Sequence, residues 1–274
     1  MTDLPQYAHA VKPQYTVAHN PSFTVGQRVD ATEDGKTWIE GEKAGWKVVD
    51  TAAVEPLVQY QLMISGIVPR PVAFVSSIGE DGVENLAPFS WFNMVTHNPP
   101  VISISVASNP TTKTGLKDTA ANIKATKGFV VNIISETFVE NANFSCIDAP
   151  TEVSEWPLTG LTKVPSDVVK PPRVKESAFS MECELFQTVD IIHPETKKHT
   201  TTLVLGLVKR IHVRNDTLNE RGNVDITKLR PISRNGDISY ARVGDSFRIP
   251  RPAWSVEGEK IGEFLKGVAE SGKL

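Results

Sequence analysis

The clearest periodic pattern in the chain is the alternation of apolar and polar side chains over residues 179–191. Such an alternation with period two predicts a half-buried β-strand. A polar connection at 193–199 and a long, apolar-rich run at 201–213 follow it. The sequence therefore predicts two long strands joined by a short connection.

Shorter apolar runs rich in β-branched residues predict further strands at 72–78, 101–107 and 129–134. Gly79 to Gly82 supplies a hairpin turn, and Pro88 is expected to end the return strand. Because a doubly wound α/β fold needs helices between most strands, we expect instead a mostly β chain, an antiparallel Greek-key β-barrel with short helices.

Two short helices are expected between these strands. Asp118 has the residue type of an N-cap, and Gly128 would stop the first helix. A second helix is expected over 135–143, with Ser135 as its cap.

The chain divides in sequence into three parts. Residues 1–55 have no clean period and form an N-terminal extension, 56–245 form the barrel, and 246–274 form a tail with one short helix. The extension either packs on the barrel or acts as a partner-binding or subunit-clasping arm. Its tryptophans, Trp38 and Trp46, argue against complete disorder.

Composition excludes several classes of protein. The 274 residues carry a net charge of −3 without a basic stripe, which argues against a nucleic-acid surface. No apolar run approaches the ~20 residues of a membrane span. The first ten residues lack the features of a secretory signal, and the two cysteines lack metal or redox spacing. We therefore expect a cytoplasmic protein with no metal site.

Three polar clusters lie where the chain should turn. The loop before the helix at Asp118 offers backbone N–H groups, with Lys117 and Thr119, to a phosphate. Asn85 to Ser90 either exposes polar groups to a ligand or forms a plain structured turn. Arg70, Ser76 and Ser77 make the third cluster, whose hydroxyls need polar partners.

Together the clusters suit a phosphorylated ligand with a planar heterocycle. The chain carries neither a G-x-S-x-G nor a P-loop, a G-x-G-x-x-G or a C-x-x-C motif. With no nucleophile–base pair in the sequence pattern, an enzyme built on this chain needs a bound cofactor to carry the chemistry.

The same stretches resemble a known family. The run R-P-V-A-F-V-S-S-I-G starting at Arg70, the N-L-A-P-F-S motif at 85–90 and the K-D-T-A-A-N-I motif at 117–123 are similar to the flavin-reductase-like, FMN-binding split-barrel proteins. The resemblance covers roughly residues 56–245. It implies a split β-barrel homodimer with FMN at the subunit interface.

The resemblance also implies the residues that bind the cofactor. Arg70, Val75, Ser76 and Ser77 would lie near the isoalloxazine ring, and Asn85, Leu86, Ala87, Pro88, Phe89 and Ser90 would contact the ring and the ribityl phosphate. Asn109, Lys117, Asp118 and Thr119 would lie on the phosphate side, and a late element matches Arg234, Gly236 and Tyr240.

The chain departs from the family pattern in two places. Family reductases that use NADH carry a G-D-H motif before a strand ending in G-x-V. Aligning Gly206 and Val208 with that ending places Thr201 where the histidine falls, with His199 two residues earlier. The family's basic residue after the P-P-V strand is also replaced, which leaves Lys113 or Lys117 to neutralise the phosphate.

These observations leave three hypotheses. The first is an FMN-dependent oxidoreductase, a flavin reductase or flavoprotein oxygenase with NADH or NADPH as electron donor and a small-molecule acceptor. The second is an FMN-binding electron carrier without turnover of its own, which the absent G-D-H motif favours. The third is a β-barrel interaction protein without flavin, which leaves the polar clusters unexplained.

Overall fold

The computed structural model describes residues 4–9 and 13–270 of the chain. The strands are Tyr15–Thr16 (β1), Arg70–Pro71 (β2), Ala73–Ile78 (β3), Glu84–Phe89 (β4), Phe92–His97 (β5), Pro100–Ala107 (β6), Gly128–Ile133 (β7), Lys163–Val164 (β8), Arg173–Val174 (β9), Phe179–Ile192 (β10), His199–Val213 (β11), Ile232–Arg234 (β12), Tyr240–Arg242 (β13) and Ser246–Phe247 (β14). The α-helices are Glu33–Glu40 (α1), Pro56–Gly66 (α2), Asp118–Thr126 (α3), Val139–Phe144 (α4), Trp156–Thr159 (α5), Ile226–Leu229 (α6) and Trp254–Glu270 (α7). Within the described residues, no helix has both the length and the hydropathy needed to cross a membrane.

The main sheet has seven strands in the order β4-β3-β7-β10-β11-β6-β5, and every neighbouring pair is antiparallel. The long hairpin of β10 and β11 lies at its centre, with Phe179 opposite Val213 and Ile191 opposite Thr201. The expected mostly β chain with short helices is therefore confirmed. The sheet is not closed, since it runs between the two edge strands β4 and β5. The predicted Greek-key barrel is accordingly not confirmed.

Strand β3 is buried on both faces and separates two hydrophobic clusters. Ala73 and Val75 belong to a cluster that includes Ile104 of β6. Phe74, which points to the opposite face, belongs to a second cluster with Trp156 of α5. Because three strands lie between β3 and β6 in the sheet, the sheet must curl around the first cluster.

Strand β4 differs from the sequence prediction. The strand continues through Pro88, which lies opposite Phe74, and ends at Phe89. Proline is tolerated here because β4 is an edge strand, where a missing backbone N–H breaks no bond of the sheet. The preceding turn is as predicted, with Gly82 at φ +85° and its N–H donated to the Gly79 carbonyl.

The predicted caps of α3 were wrong. The N-cap of α3 is Lys117, whereas Asp118 is the first helical residue, and no side chain caps this end. Lys127, at φ +67°, terminates the helix in place of Gly128. Ser135 is the N-cap residue of a 3-10 turn, Glu136–Phe138, that leads into α4, as its predicted position requires, but its hydroxyl donates to the carbonyl of Leu229 instead of capping the turn.

The chain forms two compact units, one from the described residues up to Gln59 together with those from Gly244, and one from Tyr60–Val243. In the first unit β1 pairs in parallel with β14. Gly26 lies so close to the Phe264 ring that a Cβ there would be 2.1 Å from its Cζ. The N-terminal extension and the C-terminal tail therefore contribute to the same unit.

Gly206 in β11 provides the first stability prediction. A Cβ at this position would lie 2.4 Å from Cζ of Phe129, whose ring is fully buried. We expect Gly206→Ala to lower the free energy of unfolding by ~1–3 kcal/mol through overpacking of the core. Urea unfolding measures the loss, with Gly66→Ala as the control because its Cβ meets no atom within 4 Å. Equal stability of the two variants would contradict this packing.

The buried carboxylate of Glu182, a residue of β10, faces the loop before β9. Its oxygens accept the backbone N–H groups of residues 167–169 at 2.6–3.2 Å and lie 2.6 Å from Nε2 of His212. Burial alone raises the pKa of Glu182, but these donors outweigh it and hold the pKa below its usual range. Ligand-type atoms of Asp167, Glu182 and His212 lie within 4.8 Å of one another. The protein's own donors, including Arg210 on Asp167 at 2.7 Å, already satisfy this group.

We expect Glu182→Gln to lower the free energy of unfolding by ~1–3 kcal/mol at pH 7. The side-chain nitrogen of the glutamine is a donor, so it cannot accept the backbone N–H group that a carboxylate oxygen accepts at this position. A carboxyl whose folded-state pKa is depressed contributes stability above its unfolded pKa of ~4.3, and that contribution is lost as the pH falls through the folded value. The stability difference between wild type and variant should therefore shrink below about pH 4. Urea unfolding at several pH values measures it, with the surface variant Glu184→Gln as control. A difference independent of pH would refute the assignment.

Candidate functional site

A pocket of about 790 Å³ lies in the Tyr60–Val243 unit. The end of β4, the loop at 109–117 and the start of α3 line it, together with residues 145–152 and Glu155. The volume falls within the range of small-molecule and cofactor sites.

The start of α3 gives this pocket an anion-attracting corner. With no side chain capping the helix, its first backbone N–H groups are left for another acceptor, and the helix dipole adds partial positive charge. Lys113 and Lys117, in the loop before α3, also line the pocket. Within the described residues, neither lysine ammonium group has a hydrogen bond or an ion pair. Both charges are therefore available to a ligand.

Two predicted site residues are joined directly. Nδ2 of Asn85 donates to Oγ1 of Thr119 at 2.8 Å, and both residues are buried at the pocket wall. Since the Thr119 oxygen accepts this bond, its own O–H remains available as a donor. The pair thus couples the β4 cluster to the start of α3.

The loop before α3 is held by its own hydrogen bonds. Oδ1 of Asn109 accepts from the Thr111 hydroxyl at 2.7 Å, and the Thr112 hydroxyl bonds the carbonyl of Leu116 at 2.8 Å. These contacts fix the turn that presents Lys113 and Lys117.

The pocket also carries acidic groups. Asp148, Glu152 and Glu155 line it, and Asp118 lies at the start of α3. Glu155 is only 6% exposed, and its Oε2 accepts the N–H of Leu86 at 2.9 Å. Burial raises the pKa of Glu155 above its usual range; the N–H of Leu86 opposes the rise, whereas Asp118 adds to it.

The β3 cluster lies away from this pocket lining. Val75, Ser76 and Ser77 are fully buried. The Ser76 hydroxyl donates to the carbonyl of Pro172, and the Ser77 oxygen accepts from Asn122 at 3.2 Å. Their polar groups therefore have partners within the protein.

Arg70 is likewise bound by the protein itself. Its guanidinium donates to the carbonyls of Ile64, Ile67 and Asn235, and its Nε lies 3.2 Å from the hydroxyl of Ser90. The arginine ties β2 to the end of α2 and to the turn after β12.

The late predicted element is close to the start of the 145–152 stretch of the pocket lining. Arg234 lies over the Tyr240 ring, 4.5 Å from its centroid, and the Tyr240 hydroxyl donates to Asn143 at 2.9 Å. Burial raises the pKa of Tyr240. Arg234 and Lys117 both act electrostatically on Cys146, which lines the pocket. The Arg234–Tyr240 pair therefore borders the site without lining it.

His199 and Thr201, where the sequence departs from the family pattern, also lie outside the lining. Nε2 of His199 is 3.1 Å from the Thr202 hydroxyl and 3.5 Å from a carboxylate oxygen of Asp190. Lys124 donates to the same carboxylate at 2.7 Å. This histidine is thus engaged in the β10–β11 hairpin.

Half of the expected cofactor residues converge on one pocket, namely Asn85, Ala87, Pro88, Phe89, Asn109, Lys117, Asp118 and Thr119. Arg70, Val75, Ser76, Ser77, Leu86, Ser90, Arg234 and Tyr240 do not line it. Sequence reasoning missed residues 145–152 and Glu155, because this stretch reads as loop and no periodic pattern marks it. The only local signal was an acidic residue directly before a buried tryptophan.

Comparison with known protein families identifies the fold of this region. The model of the flavin reductase-like domain matches residues 65–228. That range holds β3 to β11 and every residue lining the pocket.

Solved structures agree with this match. Nitrilotriacetate monooxygenase component B from Bacillus cereus is 35% identical, with a TM-score of 0.71 over 75% of this chain and 99% of that one. The 2-nitrobenzoate 2-nitroreductase of Pseudomonas fluorescens is 26% identical, with a TM-score of 0.66 over 76% and 98%. A split-barrel protein from Shewanella frigidimarina shares the fold at 18% identity, with a TM-score of 0.63 over 76% and 100%.

The Asn85–Thr119 hydrogen bond is testable without any ligand. We expect Thr119→Val to lower the free energy of unfolding by ~1–3 kcal/mol, because the Asn85 amide loses its acceptor in a buried position. Urea unfolding of Thr119→Val, Asn85→Leu and the double variant yields the coupling energy. The exposed Thr162→Val is the matched control. Strictly additive losses would show that the two side chains do not interact.

Proposed function

Because the chain belongs to the flavin reductase-like family, we propose that it is an FMN-binding flavoprotein oxidoreductase. The observation that carries this proposal is the convergence, in one pocket, of β4 with the uncapped start of α3 and two lysines without ion-pair partners. Neighbours named as a monooxygenase component and a nitroreductase support oxidoreductase chemistry in general.

The residues present fit a flavin mononucleotide at the phosphate end. The first N–H groups of α3, the Thr119 hydroxyl and the Lys117 ammonium together supply neutral and charged donors to a phosphate. Asn109 and Lys113 on the adjoining loop extend this donor set. The phosphate would therefore be held by the loop and the helix start.

The β4 side of the pocket fits the less polar part of the cofactor. Asn85 offers an amide, whereas Ala87, Pro88 and Phe89 offer backbone and apolar surface. When bound, the flavin would supply hydride or electron transfer. The chain's residues would bind it, orient its ring and limit the access of water to it.

A homodimer with the cofactor at the subunit interface remains part of the proposal. The chain exposes large apolar side chains on β5 and on the outer part of β10. They are Met94, Val95, Phe186, Val189, Ile191 and Ile192, each at least 40% exposed. Since large exposed apolar patches usually mark interaction surfaces, this supports association with a second copy.

The electron donor separates the proposed reductase from a second candidate, an FMN-binding electron carrier. Thr201 stands where family reductases that use NADH have a histidine, and His199 is engaged by Thr202 and Asp190. This favours the carrier, or an oxygenase component supplied by a separate reductase. A reductase would instead use NADH or NADPH directly.

The test is titration of the purified protein with FMN, followed by its absorbance spectrum and by anaerobic additions of NADH and NADPH. We expect a bound flavin and a Kd that rises about 10-fold in Lys117→Ala, the effect of losing one charge-assisted hydrogen bond. Lys175→Ala is the control, since this exposed lysine lies outside the pocket.

The outcomes separate the candidates. A flavin band bleached at a catalytic rate would support the reductase and identify its donor, whereas a persistent band would favour the carrier. Equal Kd values for Lys117→Ala and the control would remove Lys117 from the phosphate site. No binding of FMN would refute the proposed function.

A further inference from the structure

Glu155 is the one carboxyl at the pocket that is almost wholly buried among the residues described, and the proposed function gives it no role. The residue is 6% exposed, whereas Lys113 and Lys117 of the same pocket are exposed. A carboxyl at a site for an anionic ligand opposes binding by charge. Its presence there needs a different physical reason.

The hydrogen bond to Leu86 supplies that reason. Strand β4 is an edge of the main sheet, paired only with β3, where Leu86 lies opposite Ser76. The N–H of Leu86 points away from β3, and Oε2 of Glu155 accepts it at 2.9 Å. Glu155 therefore takes the place that a further strand would occupy.

Glu155 is itself held rigidly. The adjoining Trp156 is 1% exposed and belongs to the second hydrophobic cluster with Phe74 and Leu86. Its ring lies 5.5 Å from the ammonium group of Lys163. Since the tryptophan is anchored in the core, the carboxyl before it has a defined position against the strand.

The position along β4 connects this bond to the ligand. Leu86 lies between Asn85 and Ala87, both of which line the pocket, and Pro88 and Phe89 follow. A shift of the Leu86 backbone would move every one of these groups. Besides the pairing with β3 and the Asn85–Thr119 bond, Glu155 supplies a hydrogen bond to the backbone of this part of the edge.

We propose that Glu155 is a positioning residue of the flavin site, whose carboxyl oxygen fixes the Leu86 amide and so sets the β4 edge against the ligand. This inference rests on the proposed function, because its effect is measured on bound FMN. According to this proposal, the position of β4 depends on the acceptor oxygen of Glu155 and not on its negative charge.

Two variants separate the oxygen from the charge. Glu155→Gln keeps an acceptor oxygen at the same distance from the backbone but removes the charge. Glu155→Asp keeps the charge, but its side chain is one methylene shorter, so the oxygen no longer reaches the Leu86 N–H. We expect the Kd for FMN to stay within about 3-fold of wild type in Glu155→Gln and to rise about 10-fold or more in Glu155→Asp. At saturating FMN, the flavin absorbance spectrum should shift in Glu155→Asp and match wild type in Glu155→Gln. Far-UV circular dichroism checks the fold, and Glu155→Ala repeats the comparison if Glu155→Asp does not fold.

Each other outcome overturns the assignment. Unchanged affinity and spectrum in the Asp variant, even with a lower melting temperature, would leave Glu155 a merely structural residue. A loss in the Gln variant as large as in the Asp variant would assign the effect to charge. A wild type that binds no FMN would refute the proposed function as well, whereas normal wild-type binding with an unaffected Asp variant would refute this inference alone.

Discussion

The β10–β11 hairpin and the contact between Phe129 and Gly206 set the geometry of the whole sheet. Each hairpin strand pairs with one further strand, β7 on one side and β6 on the other. The Phe129 ring of β7 reaches the backbone of β11 only because Gly206 has no side chain. This close approach brings strands that are not neighbours together and curls the sheet around its first hydrophobic cluster.

The candidate site is built on an edge strand, and the protections of that edge are part of the site. An exposed strand edge presents unpaired N–H groups that other chains can pair with. Along β4, Glu155 covers the N–H of Leu86, and Pro88 has none to expose. The Asn85 side chain, by contrast, lines the pocket. Glu155 and Pro88 therefore both prevent the addition of another strand and form part of the pocket lining.

The sequence predicted what depends on local pattern and missed what depends on distant contacts. Period-two alternation located β10, and a long apolar-rich run located β11, because both signals depend only on residues close in sequence. The predicted end of β4 was wrong. A strand tolerates a proline such as Pro88 only at the edge of a sheet, and the edge position of β4 is known only from the strand pairing. Asp118 has the side chain of a cap, but the chain enters the helix one residue earlier, at Lys117.

The site residues follow the same division. The resemblance to the family motifs singled out Asn85, Lys117 and Thr119, and all three line the pocket. Such motifs contain residues that lie close together in related chains. Leu86 and Glu155 are 69 positions apart, and nothing in either segment marks the other. The guanidinium of Arg70 also resembled a ligand-binding group in the sequence, yet it donates to carbonyls at the end of α2 and in the turn after β12.

The pocket is lined by charges of both signs. Lys113, Lys117 and the positive end of the α3 dipole attract an anionic ligand group, whereas Asp148, Glu152 and Glu155 repel it. Asp118, the first residue of α3, opposes an anion at the very helix end that attracts one. The uncapped N–H groups and both lysines must therefore act together to outweigh these carboxylates, which is why a single lysine does not define this corner of the site.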